Sequence, residues 1–229
     1  MSRSPSRHLP LFIVIAAVCA GAGLYLGQKW AQSSQAGSEA PALAAGTDVR
    51  VSSQTLAYPT PRDLQPFELR RVDGSALTNA ALEGQWTLAF FGFTNCPDVC
   101  PSALATFKQL EKLAPGGGDP RLAFLFVSVD PPRDSPQLLR DYTAYFSPSI
   151  VAATGEPDAI ERFARDVGVV FMRVAQDDGE YTIDHSTQML LFNPAGRLHA
   201  ILRPPHDPAA MLTDIARMTA AYRSGPPAA

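Results

Sequence analysis

Two cysteines, Cys96 and Cys100, lie four residues apart in the stretch FFGFTNCPDVCPSAL, and each is followed directly by proline. Cysteine thiolates at such a spacing can form a disulfide, exchange with other thiols or bind a soft metal ion. The chain of 229 residues contains only three cysteines, which excludes a dense disulfide framework. The close pair therefore predicts a redox site or a metal site.

The elements on either side of the pair are predicted to place both sulfurs at one junction. Residues 86–93, WTLAFFGF, form a continuous apolar run that is typical of a buried strand. The regular helix after it is expected to begin at Pro101, because proline disrupts the interior of a helix but not its first turn. Unpaired N–H groups at a helix start favour thiolate over thiol. Apolar residues recur at helical spacing at Leu104, Phe107, Leu110 and Leu113.

Several chemistries are compatible with the pair. The spacing C-x-x-x-C differs from the C-x-x-C of thioredoxin-type oxidoreductases, which weakens that interpretation but leaves it open. A peroxiredoxin is disfavoured, because Phe93 and Pro97 stand where a threonine would precede the reactive cysteine. Two packed core thiols fit a proline-flanked junction poorly. Two thiolates suit copper(I), or zinc if four ligands can be found.

The four histidines offer one candidate for a further ligand. His185 lies in YTIDHST, just before an apolar strand, where thioredoxin-like sheets bring a loop beside the strand-to-helix junction. Its imidazole would complete a trigonal site with two sulfurs, and Asp184 or another acceptor is expected to orient the ring. His199 and His206 are assigned to a hairpin strand and a turn, and His8 lies far from the pair.

The pattern of the central part of the chain predicts the fold class. From Leu64 to about Tyr222, short apolar runs alternate with amphipathic segments and close on the hairpin TQMLLF-NPAG-RLHAIL. Asp207 is expected to cap a last helix that begins at Pro208. We therefore predict an α/β, thioredoxin-like fold with a central mixed sheet flanked by helices.

The N-terminal part predicts one transmembrane helix. Residues 9–27 carry no charge and, as a helix, would span the roughly 30 Å of a hydrocarbon core. Arg3 and Arg7 precede this segment, so residues 1–8 are expected in the cytoplasm and the remainder outside it. A cleaved signal peptide is the alternative, although the apolar run is longer than a usual signal core. The predicted order continues with a flexible linker at 28–57, the folded domain at 58–223 and a disordered tail at 224–229.

Charge disfavours one class of partner. The whole chain has 19 Lys and Arg against 22 Asp and Glu. Three of the basic residues, Arg3, Arg7 and Lys29, precede the predicted exported part, which is therefore more acidic than the whole. Because no basic stripe with interleaved aromatic residues is visible, nucleic-acid binding is not expected.

Three motifs in order, FGFTNCPDVCP, VSVDPPRDSP and DHSTQMLLFNPAG, resemble the Sco/SenC family of copper-binding, thioredoxin-like assembly factors. The likeness covers about Leu64 to Tyr222. It implies that copper is bound by the two cysteines of the first motif and the histidine of the third, which are Cys96, Cys100 and His185.

The second motif is placed near the site by the same resemblance. Asp130, Pro132 and Asp134 lie in it, and no ligand role follows for them. Asn95 and Ser135 stand where histidine and threonine are commonest in the family, and neither is a ligand position.

The resemblance also implies a task and a location. The task is delivery of copper to the copper A centre in subunit II of cytochrome c oxidase, with other periplasmic copper chaperones and thiol reductants as further partners. The short stretch before the apolar segment leaves no room for a long organelle-targeting sequence, so we expect the bacterial inner membrane, with the domain in the periplasm. This makes the protein a chaperone and not an enzyme. The rivals are a thiol-disulfide oxidoreductase that reduces the copper A cysteines, and a redox or copper sensor.

Overall fold

The fold is built on one eight-stranded sheet. The structure, a computed structural model, describes residues 49–114, 122–177 and 179–224. The strands in these ranges are β1 (Thr55–Arg62), β2 (Glu68–Arg71), β3 (Ala76–Thr78), β4 (Trp86–Gly92), β5 (Leu122–Ser128), β6 (Ile150–Thr154), β7 (Phe171–Ala175), β8 (Tyr181–His185), β9 (Met189–Phe192) and β10 (Leu198–Leu202). The helices are α1 (Val99–Leu113), α2 (Pro136–Phe146), α3 (Pro157–Asp166) and α4 (Pro208–Ser224), with a 3-10 turn at Asn79–Leu82.

The strand order is β1-β10-β9-β4-β5-β6-β2-β3. β4, β5 and β6 run parallel, whereas β9, β10 and β1 continue the sheet antiparallel on one side and β2 and β3 on the other. The prediction of an α/β fold with a central mixed sheet is confirmed. The predicted final hairpin is also confirmed, because β9 and β10 pair antiparallel from Met189 with Leu202 to Phe192 with Leu198.

The strand before the cysteines lies in the middle of the sheet. All seven residues of β4 are buried, which explains its continuous apolar sequence, since a central strand is covered on both faces. In α1, Leu104, Phe107 and Leu110 are buried as predicted. Leu113 departs from that face and is 52% exposed, because it occupies the last position of the helix.

β7 and β8 form a separate two-stranded ribbon outside the main sheet. Phe171 pairs with His185 at one end and Ala175 with Tyr181 at the other. Ile183, between the two named residues of β8, is only 4% exposed and seats this strand in the core. His185 is therefore carried by an element that hydrogen-bonds to no strand of the main sheet among the described residues.

Two predicted boundaries were wrong. The helix α1 begins at Val99, not at Pro101, so Cys100 lies in its first turn. Pro101, directly after Cys100, is tolerated because the first four N–H groups of a helix have no partner within it. β1 begins at Thr55, inside the stretch expected to be flexible, and pairs there with Leu202 of β10.

Buried polar contacts explain why the chain is already ordered ahead of β1. The carboxylate of Asp214 in α4 accepts hydrogen bonds from the backbone N–H and hydroxyl of Ser52 and from the hydroxyl of Thr55. Asp214 is 2% exposed, so these donors supply the hydrogen bonds that its buried oxygens need. The predicted cap of α4 is confirmed, with Asp207 Oδ1 accepting from Ala210 N at 2.7 Å.

Several predictions fall on residues that the structure does not describe. These are the cytoplasmic segment 1–8 with His8, the anchor 9–27, the first part of the linker and the last five residues of the tail. Among the helices within 49–224 that are described, none has both the length and the apolar character needed to cross a membrane.

Candidate metal centre

The structure brings together the three side chains predicted to form a site. Cys96 lies in the loop after β4, Cys100 in the first turn of α1 and His185 at the end of β8. The Nε2 atom of His185 is 3.4 Å from Cys100 Sγ and 4.0 Å from Cys96 Sγ. All three potential ligand atoms lie within 4.8 Å of one another. Two segments distant in the sequence, one carrying both cysteines and the other the histidine, thus meet at one point.

A glycine makes room for the deeper cysteine. Cys100 is completely buried and Cys96 is 7% exposed. A Cβ atom added to Gly92, the last residue of β4, would lie 2.5 Å from Cys100 Sγ and 3.0 Å from the ring of Phe126. Gly92 therefore belongs to the site, although sequence reasoning did not assign it a role. The available signal was a single glycine inside an aromatic strand.

The two cysteines are free thiols of very different acidity. The hydrogen bond from the Cys100 thiol is the main cause that lowers the pKa of Cys96 to about 4, against the opposing effect of burial. The same hydrogen bond and burial raise the pKa of Cys100 well above its ordinary value. Backbone N–H groups at the start of α1 also lower the pKa of Cys96, as the helix start predicted. Cys96 is thus the first of the pair to become a thiolate.

The histidine is oriented by backbone and by aromatic rings. Its Nδ1 lies 3.0 Å from the carbonyl oxygen of Ser186. Because a carbonyl only accepts, Nδ1 donates and the lone pair of Nε2 faces the sulfurs. The rings of Phe90 and Phe93 meet the imidazole edge-on, each at 5.8 Å between centroids. Asp184 is exposed and does not supply this contact, so the predicted orienting acceptor is the Ser186 carbonyl.

The second motif places a buried carboxylate against the cysteine loop. Asp134, 1% exposed, accepts from Thr94 N at 3.1 Å, from Thr94 Oγ1 at 2.5 Å and from Ser128 Oγ at 2.6 Å. Burial raises the pKa of Asp134, although these hydrogen bonds oppose that shift. Since Thr94 is two residues before Cys96, Asp134 holds the start of the loop.

The other carboxylate of this motif faces the ribbon. Asp130 is fully buried and accepts from Arg133 Nε and, at 2.7 Å, from the hydroxyl of Tyr181 in β8. Pro132 is exposed and contributes no side-chain contact of this kind. Neither carboxylate joins the group of potential metal ligands.

The remaining described histidines lie away from the site. The His199 ring meets the edges of Trp86 and Tyr222, and His206 Nε2 is 3.2 Å from the carbonyl oxygen of Leu202. His199 lies in β10 and His206 between β10 and α4, as predicted, but both side chains are partly buried, whereas a solvated or capping side chain was the default expectation.

The donor set indicates which metal ions fit. Two sulfurs and one imidazole nitrogen are soft or intermediate donors that suit copper(I). Among the described residues no fourth Cys, His, Asp or Glu joins the three, whereas structural zinc sites hold four ligands. The proximity of the two sulfurs also allows a disulfide to form between them.

Comparison with known proteins gives a consistent result. A family model described as SCO1/SenC matches residues 58–220. The chain is 34% identical over 159 residues to the mitochondrial SCO1 homolog 1 of Arabidopsis thaliana, covering 69% of this chain and 47% of that protein. It is 30% identical over 153 residues to a putative copper-binding protein of Stutzerimonas stutzeri, covering 67% and 75%. The chain thus spans about half the length of the plant relative.

Solved structures show the same fold. The copper-bound ScoI of Arabidopsis thaliana is 32% identical with a TM-score of 0.66, covering 69% of this chain and 99% of that one. The copper-bound ScoI of Bradyrhizobium japonicum is 32% identical with a TM-score of 0.62, covering 68% and 98%. The thioredoxin-like arrangement predicted from the order of elements is therefore found in both.

Proposed function

Because the chain belongs to the SCO1/SenC family, we propose that it is a copper chaperone that binds copper(I) through Cys96, Cys100 and His185 and delivers it to the copper A centre in subunit II of cytochrome c oxidase. One observation carries the proposal, which is the convergence of Nε2 and the two sulfurs within 4.8 Å. The copper-bound relatives and the copper-binding protein of Stutzerimonas stutzeri support it.

Redox state controls loading in this proposal. Copper(I) binds the two sulfurs only when both cysteines are reduced, and metal binding displaces any thiol proton. Oxidation to a disulfide removes two electrons from the pair together with the thiol proton of Cys100, so neither sulfur is left as a thiolate to bind copper(I). A periplasmic thiol reductant is therefore a required partner.

Release to the client proceeds by exchange of ligands. Thiolates of the client replace the ligands of this chain one at a time, so the ion never passes through water. Cys96 is the more exposed of the two cysteines and its thiol has the lower pKa. It is therefore the sulfur that an incoming ligand meets first, whereas Cys100 remains enclosed.

Location follows from the N-terminal sequence. We propose that residues 9–27 anchor the protein in a bacterial inner membrane, with 1–8 in the cytoplasm and the folded domain in the periplasm on a linker. Anchoring confines donor and client to one surface and raises their effective concentration. Protease added to spheroplasts is expected to cut the domain. Protection of the domain from protease would contradict this orientation.

Copper binding is tested on the full-length chain, purified in detergent under reducing conditions and titrated with copper(I) against a competing chelator. One ion per chain is expected, with affinity reduced in Cys96→Ser, Cys100→Ser and His185→Ala. His206→Ala is the matched control, since this histidine lies outside the cluster. Unchanged affinity in His185→Ala would remove the imidazole from the site.

Delivery is tested by mixing the copper-loaded chain with reduced, copper-free subunit II. After transfer, oxidation by one electron per binuclear centre with ferricyanide is expected to produce the electron paramagnetic resonance signal of the mixed-valent copper A centre, and no signal is expected when the Cys100→Ser variant is the donor. Failure of the loaded chain to generate this signal would contradict the proposed client.

The alternative is a thiol-disulfide oxidoreductase that reduces the copper A cysteines. The close sulfurs and the low pKa of Cys96 favour it, since a thiolate is the attacking species. Both functions need the two cysteines, but only copper binding needs His185. Full reduction of oxidised subunit II by His185→Ala, together with unchanged copper affinity, would select the oxidoreductase.

A further inference from the structure

The ribbon that carries His185 depends on side chains for its attachment to the domain. Tyr181, Ile183 and His185 alternate along β8 and lie on one face of the strand. Ile183 is seated in the core, and Tyr181 lies four residues, or roughly 13 Å, from His185. Contacts that fix Tyr181 therefore fix one end of β8, and the imidazole of His185 lies at the other end.

Arg133, from the second motif, makes that attachment. Its Nε donates to the buried carboxylate of Asp130, and one terminal nitrogen donates to the backbone carbonyl of Tyr181 at 2.8 Å. The guanidinium carbon lies 3.7 Å from the centre of the Tyr181 ring. The Tyr181 hydroxyl donates to the same carboxylate, so the three residues form a closed set of contacts.

Arg133 also contacts one of the rings that flank the imidazole. Its guanidinium carbon lies 5.7 Å from the centre of the Phe93 ring, and Phe93 meets His185 edge-on at 5.8 Å. Phe93 is 1% exposed, so its ring has little freedom to move away. The arginine thus supports both the strand that carries His185 and one of the rings that flank it.

We propose that Arg133 is a positioning residue that holds the ribbon, and with it His185, over the cysteine pair. The inference rests on the proposed copper site. Within the second motif, Asp134 then holds the cysteine loop. Arg133, which is bound to Asp130, holds the strand that carries the histidine. The guanidinium is suited to this because its planar donors bind carboxylate and carbonyl while its face covers an aromatic ring.

A double-mutant cycle on the full-length chain tests the coupling. Arg133→Gln is expected to lower copper(I) affinity about tenfold, the lower end of what loss of an outer contact costs a metal site. This loss is expected to disappear in the His185→Ala background, because the arginine acts through that ligand. An equal loss in both backgrounds, or no loss in either, would overturn the proposal.

Arg173→Gln is the matched control. Arg173 also faces Asp130, at 3.8 Å, and the Tyr181 ring, at 4.9 Å, but its side chain is 52% exposed. We expect a change of no more than about twofold, since exposed ion pairs contribute little. A loss as large as that of Arg133→Gln would assign the effect to charge near Asp130 instead of to the contact with Tyr181.

A second measurement needs no copper. With carbon-13 at Cε1 of histidine, the four histidines of the chain give separable resonances, and His185→Ala identifies the one at the site. In Arg133→Gln this resonance is expected to move toward that of free histidine, as the imidazole leaves the edges of Phe90 and Phe93. An unmoved resonance would overturn the proposal even if affinity fell.

The variants also separate this inference from the function on which it rests. If the wild-type chain fails to bind copper(I), the proposed function fails, while the resonance of His185 still reports on Arg133. If Arg133→Gln does not fold, judged by its thermal unfolding, Tyr181→Phe replaces it, because it removes only the hydroxyl that contacts Asp130. The same shift in a smaller amount is then expected, and no shift would overturn the proposal.

Discussion

The acidity of the two thiols is unequal because they share one hydrogen bond at a helix start. The Cys96 sulfur accepts hydrogen bonds from the Cys100 thiol and from backbone N–H groups, which favours its thiolate. Cys100 is buried and donates to Cys96, so it keeps its proton. This inequality has a chemical use, since a site that exchanges ligands needs one sulfur that departs and one that stays.

The reactivity of Cys96 checks this directly. In the reduced, metal-free chain we expect the alkylation rate of Cys96 to stay nearly constant from pH 8 to about 5 and to fall as the pH drops through about 4. In Cys100→Ala the fall should occur at higher pH, because the main hydrogen bond that lowers the pKa of Cys96 is lost. Peptide mass spectrometry separates the two cysteines. A wild-type rate falling about tenfold per pH unit below pH 8 would contradict an acidic Cys96.

The site also requires a glycine at position 92. Gly92→Ala would place a methyl group 2.5 Å from Cys100 Sγ, so the sulfur or the strand must move. We expect a loss of about 2 kcal/mol in the free energy of unfolding and weaker copper(I) binding. Gly155→Ala is the control, because its methyl group would meet Leu69 at 2.9 Å instead of a cysteine. Copper affinity unchanged in Gly92→Ala would contradict the assignment.

At the scale of elements, the site lies where three elements come together, namely the loop after β4, the start of α1 and the ribbon of β7 and β8. The loop and helix are continuous with β4 in the middle of the sheet, whereas the ribbon is attached through side chains. The sulfurs therefore sit on the most constrained part of the fold and the imidazole on a less constrained one.

Asp134 tests the loop as an element. Asp134→Asn replaces one of the two oxygens that accept from Thr94 and Ser128 with an amide group that cannot accept, so we expect about 2 kcal/mol of destabilisation, measured by denaturant unfolding. Copper affinity should fall equally in the wild-type and His185→Ala backgrounds, because the cysteines are displaced. Asp214→Asn, at an equally buried carboxylate, should destabilise comparably and leave copper affinity unchanged. A loss of affinity confined to the wild-type background would contradict this role.

At the scale of the whole molecule, one partly buried histidine couples stability to pH. Burial lowers the pKa of His199 to about 4, and His206 shifts in the same direction. A histidine whose pKa is lower in the folded state stabilises the fold above about pH 6.5, and that contribution is lost as the pH falls toward 4.

The expected size of this effect is about 2 kcal/mol between pH 7.5 and 4.5 for His199. His199→Phe keeps a ring against Trp86 and Tyr222 but cannot titrate. Its free energy of unfolding should therefore fall less over this range than that of the wild type, as measured by urea denaturation at each pH. Parallel profiles for the two proteins would contradict a role for His199.

The sequence predicted the parts of this molecule that depend on local pattern. The apolar run of β4, the buried face of α1 and the final hairpin follow from periodicity and turn residues, and the three site residues follow from spacing and resemblance. The contact of Arg133 with Tyr181 joins positions 48 residues apart, and the closeness of Gly92 to Cys100 depends on how a strand meets a helix. β1 was missed in part because TLAYPTPR contains two prolines, while its partner strand lies far along the chain.

The hydrogen bonds from Ser52 and Thr55 to Asp214 have a mechanical consequence. Any pull on the chain ahead of residue 49 acts on the hydrogen bond from Arg217 to the carbonyl of Arg50, on these bonds to Asp214 and on the pairing of β1 with β10 at the edge of the sheet. β10 and β9 stand between that edge and β4, which leads to the cysteines. Such a pull is therefore resisted at the edge of the sheet, and it does not change the distances between the two sulfurs and the imidazole nitrogen of the site.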